Sequence, residues 1–190
     1  MVLSPSLVLP ANHNNFFELL AVPRSYDIDA SSLEKNFKAI QKHLHPDKFH
    51  VKSQQEREFS ETLASEVNRA YQTLASPVLR AHYMLSMEGA EISEAASSVQ
   101  IPQEFLVQVL EIMEEVQDLA PSGAGGEQHE AQQAKLRELK LKADRVFESV
   151  QRRLSSAFSS KDIEKAKLET SKLNYFARIK DSIYEKLDSK

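Results

Sequence analysis

Within eight residues the chain places His43, His45, Asp47 and His50, a group of imidazoles with a carboxylate that could ligate a metal or move a proton. Metal ligation needs donors that converge on one point. His43 and His45 would stand about 200° apart if both were helical, and Pro46 stiffens the backbone beside them. No zinc site is expected here. Other chemistries also lack their residues. There is no serine, histidine and aspartate set in a nucleophile elbow and no dinucleotide fingerprint. Four glycines in 190 residues practically exclude a phosphate cradle. Glu114 and Glu115 are neighbouring carboxylates on what should be an exposed helix face, where solvation is the natural state of both. Cysteine is absent, which excludes disulfides, thiol chemistry and a thiolate-bound cluster carried by this chain. The chain is not expected to be an enzyme, nor to hold a cofactor or metal of its own.

What the residues do specify is a corner. Pro46 has no amide hydrogen and disfavours the α conformation at His45, so His45, Pro46 and Asp47 form a rigid exposed tip. Before it, Leu33, Phe37, Ile40 and Leu44 fall on one stripe of a helix capped by Asp29 or Ser31. After it a helical pattern resumes by Phe59, with Leu63, Val67, Ala70 and Leu74 on one stripe. The corner therefore joins two helices that can pack as an antiparallel hairpin. Lys35, Lys38 and Lys42 lie away from the apolar stripe, and Lys38 and Lys42 share a face one turn apart. By pattern alone they are either a solvated surface or a docking face for an acidic partner.

Short capped helices flank the hairpin. Asn14 to Leu20 reads as one, halted before Val22-Pro23, and Ser76-Pro77 starts another through Leu85. From Glu88 to Gln100 the chain turns to Gly, Ala, Ser and Glu without periodicity, the composition of a linker. Pro102 opens a helix with two apolar stripes. Phe105, Val109, Ile112, Val116 and Leu119 form one; Leu106, Leu110 and Met113 form the other, about 100° away. Either this helix touches two neighbours in a bundle, or its second stripe stays partly exposed for a protein partner. A glycine loop, 121–126, follows. Leu136, Leu139, Ala143, Val146, Val150 and Leu154 then mark a long helix, and Ile163 to Leu187 a last one after Ser160-Lys161-Asp162. Three helices with two connections make an antiparallel bundle.

Composition agrees with a water-exposed helical protein. Charged residues make up 27% and hydrophobic ones 41%, and the scarce glycines and prolines favour long helices over many short strands. A formal charge of −4 with lysines and glutamates interleaved makes nucleic acid an unsuitable partner. No apolar run approaches the roughly 20 residues that span a bilayer, so no membrane is expected as a partner. Met1 to Asn15 carries no lysine or arginine, which fits neither a signal peptide nor an arginine-rich transit peptide.

The run Gln41-Lys42-His43-Leu44-His45-Pro46-Asp47-Lys48-Phe49, with Asn68-Arg69-Ala70-Tyr71-Gln72-Thr73-Leu74 after it, resembles the J-domain of DnaJ-type co-chaperones. The remainder, notably Phe105 to Glu111 and Lys172 to Phe176, resembles the HscB co-chaperones of iron-sulfur cluster assembly, and the similarity spans Phe16 to Leu187. The resemblance implies an all-α chain with a J-domain over 16–87, a linker over 88–101 and a three-helix scaffold-binding domain over 102–190. It implies that the J-domain stimulates the ATPase of a heat-shock 70 kDa class chaperone and that the bundle delivers the iron-sulfur scaffold protein. The ATP and its magnesium would belong to that chaperone. His45, Pro46, Asp47, Lys35, Lys38 and Lys42 are then the expected chaperone-binding residues. Leu106, Val107, Leu110, Glu111, Glu114 and Tyr175 are the expected scaffold-binding ones. Such a chain is expected to be monomeric, in the mitochondrial matrix of a eukaryote or the cytoplasm of a bacterium. The alternatives are a general J-protein whose bundle holds another client or dimerises, and a plain helical bundle with an incidental His-Pro-Asp.

Overall fold

The computed structural model describes residues 15–44, 53–92, 99–119 and 127–188, except for the side chains of 127–129. The elements are all helical: α1 (Phe16–Leu19), α2 (Ala30–Leu44), α3 (Gln54–Ala75), α4 (Pro77–Met87), α5 (Gln103–Asp118), α6 (Glu127–Ser159) and α7 (Ile163–Asp188). No strand occurs among the described residues, as the scarcity of turn formers implied. The chain divides into two compact units, one ending at Tyr83 and the other starting at Met84.

In the first unit, side chains set where each helix begins and ends. The Asn15 side chain accepts from the Glu18 amide at 3.0 Å and caps α1. Ala21 then adopts a left-handed φ of 50°, and the Asn36 side-chain amide on α2 donates to the carbonyls of Leu20 and Ala21, holding that stop in place. Asp29 caps α2 by accepting from the amides of Ser31 and Ser32. Leu33, Ile40 and Leu44 are buried, while Phe37 is half-buried and stacks on Tyr71 of α3 with centroids 4.1 Å apart. Gln41 donates to Asn68 at 2.6 Å, and the Ser60 hydroxyl donates to the Leu44 carbonyl, so α2 and α3 run antiparallel.

Two features of α3 go beyond its apolar spacing. It starts at Gln54, five residues ahead of Phe59, because Ser53 and Glu56 form a reciprocal capping box at that point. Phe59 is not a core residue but 67% exposed, whereas Ser60 is buried with Leu63, Val67, Ala70 and Leu74. Phe59 and Ser60 flank the centre of that stripe on opposite sides, and the end of α2 lies on the serine side. At α4, Ser76 accepts from the Leu79 amide, and Pro77 occupies the first helical position. Arg80 is buried, donating to the Leu74 carbonyl at 2.7 Å and the Tyr26 carbonyl at 2.6 Å, with its guanidinium 5.5 Å from the Tyr26 ring. One side chain thus ties α4 to the end of α3 and to the segment before α2. Phe16 stacks on Tyr83 at 4.5 Å, and its amide donates to the Tyr83 hydroxyl.

The second unit holds α5, α6 and α7 around Val109, Ile112, Val116, Leu139, Ala143, Phe176, Ile179 and Ile183. Ion pairs report the register. Lys135 on α6 meets Glu115 on α5 at 3.1 Å, Lys180 on α7 meets Asp144 on α6 at 2.6 Å, and Arg153 on α6 meets Glu169 on α7 at 2.9 Å. Helix α6 is therefore antiparallel to α7, and α5 runs parallel to α7, because Phe105 near its start meets Phe176 and Leu119 at its end meets Lys186. Lys186 near the end of α7 donates to the Gln117 and Leu119 carbonyls, satisfying acceptors that α5 leaves open at its C-terminus. The turn between α6 and α7 uses Lys161 at φ 57°, after which Asp162 caps α7 through the Lys165 amide. The glycine loop 121–126 and residues 93–98 of the expected linker lie outside the described residues.

Candidate partner-binding surfaces

Burial of Leu33, Ile40 and Leu44 turns the opposite side of α2 to solvent, and Lys35, Lys38 and Lys42 are all exposed there. Lys38 is paired with Glu34, one turn earlier, at 2.5 Å, with side chains 71% and 51% exposed. The hydrogen bond to that carboxylate and its charge raise the Lys38 pKa. Lys35 and Lys42 make no ion pair among the described residues, so their charges face water. This face can attract an anionic surface at a distance, though its charge is screened within about 10 Å at 0.1 M salt. His45, Pro46 and Asp47 lie outside the described residues. The structure does define both sides of their connection, which leaves the buried Leu44 and enters α3 at the Ser53 cap.

On α5 the two apolar stripes separate. Val109, Ile112 and Val116 are buried, with Phe105 and Leu119 packed against the same cluster, so one stripe serves both neighbouring helices. The other remains open. Leu110 is 57% exposed, Val107 45% and Met113 36%, and Leu106 is half-buried. Glu111 and Glu114 are exposed beside them. Tyr175 on α7 is half-buried and meets Phe105 edge-on with centroids 6.3 Å apart, which sets its ring against the first turn of α5. Leu106, Val107, Leu110, Glu111 and Glu114 therefore share the outer surface of one helix, with Tyr175 beside its start. Met113, absent from the expected site, belongs to the same exposed surface; its spacing of three from Leu110 was the available signal.

The chemistry of this surface is apolar contact with an acidic border. Helix α5 carries Glu104, Glu111, Glu114, Glu115 and Asp118 and no lysine or arginine. Exposed leucine, valine and methionine beside an aromatic ring offer area to desolvate, while the carboxylates favour a basic neighbour over an acidic one. Among the described residues no cluster of histidine and carboxylate side chains could hold a metal ion. No described helix is long and apolar enough to cross a membrane.

Comparison with known proteins covers both units. The family model described as the DnaJ domain matches residues 15–83, and that described as the HSCB C-terminal oligomerisation domain matches residues 101–184. The iron-sulfur cluster co-chaperone protein HscB of Homo sapiens is 33% identical over 178 residues, which are 94% of this chain and 71% of that protein. The crystal structure of human co-chaperone protein HscB aligns with a TM-score of 0.77 at 31% identity, covering 93% of this chain and 83% of the other. Chaperone HscB from Vibrio cholerae aligns with a TM-score of 0.74 at 28% identity, covering 90% and 96%.

Proposed function

The chain belongs to the HscB family of co-chaperones, with a DnaJ domain at its N-terminal end, and from that premise we propose that it couples an iron-sulfur scaffold protein to a heat-shock 70 kDa class chaperone. The family is one of co-chaperones of iron-sulfur cluster assembly and not of catalytic enzymes. In this reading the J-domain occupies 16–87, a linker 88–101 and the scaffold-binding bundle 102–190. Lys35, Lys38 and Lys42 draw the chaperone's acidic surface onto α2, and His45, Pro46 and Asp47 at the corner stimulate its ATPase. The scaffold is held by Leu106, Val107, Leu110, Glu111, Glu114 and Tyr175. ATP, magnesium and the cluster stay with the partners, and the compartment is the mitochondrial matrix in a eukaryote or the cytoplasm in a bacterium.

The observation that carries this reading is the open apolar stripe of α5, bordered by Glu111 and Glu114, in the same chain as a DnaJ domain. Leu110 is not an isolated exposed apolar side chain but one of a stripe with Val107 and Met113, and a contiguous apolar patch is what marks a partner surface. The test is a chaperone ATPase assay with the chain and the scaffold added singly and together. The expected result is stimulation by the chain alone, greater stimulation with scaffold, and loss of both in His45→Gln. Unchanged stimulation by His45→Gln, or no added effect of scaffold, would refute the coupling.

The description of the matching C-terminal family model as an oligomerisation domain supports a second reading, in which the same face joins two copies of the chain. Sedimentation separates them: a monomer that binds scaffold sustains the first reading, and a dimer that dissociates in Leu110→Lys sustains the second.

A further inference from the structure

Glu169 on α7 is a charged side chain only 4% exposed, a strongly unfavourable placement unless the charge is matched. It is matched twice. Arg153 on α6 approaches one carboxylate oxygen at 2.9 Å, and Lys172, one turn along α7, approaches the other at 2.8 Å. Lys172 is itself only 12% exposed, and its ammonium also lies 5.6 Å from the centre of the Phe105 ring on α5. That ring meets Tyr175 edge-on at 6.3 Å and Phe176 edge-on at 5.6 Å. A buried carboxylate, a lysine, an aromatic ring and a tyrosine thus form one continuous chain of contacts, which ends at the first turn of α5.

That turn is closed by backbone alone. The Pro102 carbonyl accepts from the amides of Phe105 at 3.0 Å and Leu106 at 3.2 Å, and as the N-cap residue Pro102 adds no side-chain hydrogen bond. The residues directly after Phe105 are Leu106 and Val107, which open the exposed stripe. Fraying of the first turn would take both out of register with Leu110 and loosen Tyr175 as well. Held over Phe105 by Glu169, the Lys172 ammonium adds a cation–π attraction on the ring that this turn packs against the bundle core.

We infer that Glu169 is a positioning residue for the scaffold-docking surface, acting through Lys172 and Phe105 to hold the first turn of α5 and Tyr175 in binding geometry. The inference rests on the reading of that surface given above, and its test has one arm that needs no scaffold. Hydrogen exchange of the intact chain is followed in Glu169→Gln, Lys172→Met, Phe105→Leu and the double variant Glu169→Gln/Phe105→Leu. Exchange at the amides of 105–108 should rise about tenfold in Glu169→Gln and Lys172→Met, with the amides of 112–116 unchanged, and scaffold affinity should fall about tenfold in parallel. In the Phe105→Leu background, Glu169→Gln should add nothing to either readout, because the link it acts through is already cut.

A uniform rise in exchange across α5, α6 and α7 would make Glu169 a general stabiliser and overturn the inference, as would effects of Glu169→Gln and Phe105→Leu that simply add. If Glu169→Gln fails to fold, Lys172→Met decides, because it leaves the Arg153 to Glu169 pair intact. Selective exchange at 105–108 with no scaffold binding by any form would sustain the positioning role and refute the docking assignment instead.

Discussion

Lys38 on α2 holds its ammonium 2.5 Å from the Glu34 carboxylate, so the middle cation of the basic face is shared with an anion on its own helix. Both side chains are well exposed, and such pairs contribute little to folding. Their consequence is for encounter: Glu34 cancels part of the potential that an approaching acidic surface would meet. Glu34→Gln is therefore expected to speed association with the chaperone severalfold at low salt, with no change in the thermal midpoint, and the gain should vanish as salt rises. Stopped-flow association rates across a salt series check this. Reversing Lys38 and Lys42 to glutamate should move the rate the other way. A rate indifferent to Glu34, Lys38 and salt would remove α2 from the docking face.

The start of α3 shows how a legible signal can be passed over. Hydrophobic spacing finds Leu63, Val67, Ala70 and Leu74, but it is silent over Gln54 to Glu58, where no apolar side chain occurs. The helix begins there because Ser53 and Glu56 satisfy each other's amides. Ser53→Ala should cost about 1 kcal/mol and shorten α3 from its N-terminal end, by the usual magnitude of a lost cap. Urea unfolding measures the first effect and amide exchange at 54–57 the second. An unchanged urea midpoint would show that packing alone holds this end.

Helix periodicity carried most of the fold because burial in both units follows 3.6-residue stripes, and the cysteine and glycine counts removed other chemistries. Periodicity could not tell an interior stripe from an open one on α5. Leu106, Leu110 and Met113 have the same types and spacings as core residues, and only the positions of α6 and α7 leave them uncovered. Nor could it tell Phe59 from Ser60, which sit at equal angles from the stripe and differ only in which side α2 covers. Glu169 and Lys172 are an i, i+3 pair that spacing can show, but the contacts of Lys172 with Phe105 and of Glu169 with Arg153 join residues far apart in sequence, and no local pattern signals them.

Asp29 gives a pH prediction. Its carboxylate accepts from the Ser32 hydroxyl first, then from the amides of Ser32 and Ser31, and these bonds hold its pKa below the ordinary 3.8. A depressed folded-state pKa means that the cap's contribution is complete above the unfolded value and is lost as pH falls through the folded one. The first unit should therefore lose α2 capping only below about pH 4. Carboxyl chemical shifts should give Asp29 a midpoint below 3.8. In Asp29→Asn the acid limb of the stability curve should flatten. A midpoint at or above the ordinary value would mean that the cap is absent in solution.

The last prediction concerns the open face of α5. Leu106, Leu110 and Tyr175 combine two leucines with an aromatic ring beside exposed Glu111 and Glu114, the make-up of a small hot spot. Hot-spot side chains typically lose about 2 kcal/mol or more on truncation, roughly thirtyfold in affinity each, so the triple change to alanine should abolish measurable scaffold binding. Fold and function separate because of where these groups stand. Leu110 is 57% exposed and already outside the core, while Leu106 and Tyr175 are half-buried, so the loss in stability should fall well short of the 2 to 5 kcal/mol per residue known for buried leucines. Leu110→Lys sharpens the test by putting a charge into the apolar stripe at a position already outside the core. It should bind scaffold at least tenfold more weakly, keep the wild-type melting temperature, and stimulate the chaperone ATPase fully when scaffold is left out. Calorimetric titration and circular dichroism on the same samples decide between the outcomes. If Leu110→Lys binds as tightly as the wild type, the open stripe of α5 is not where the scaffold sits.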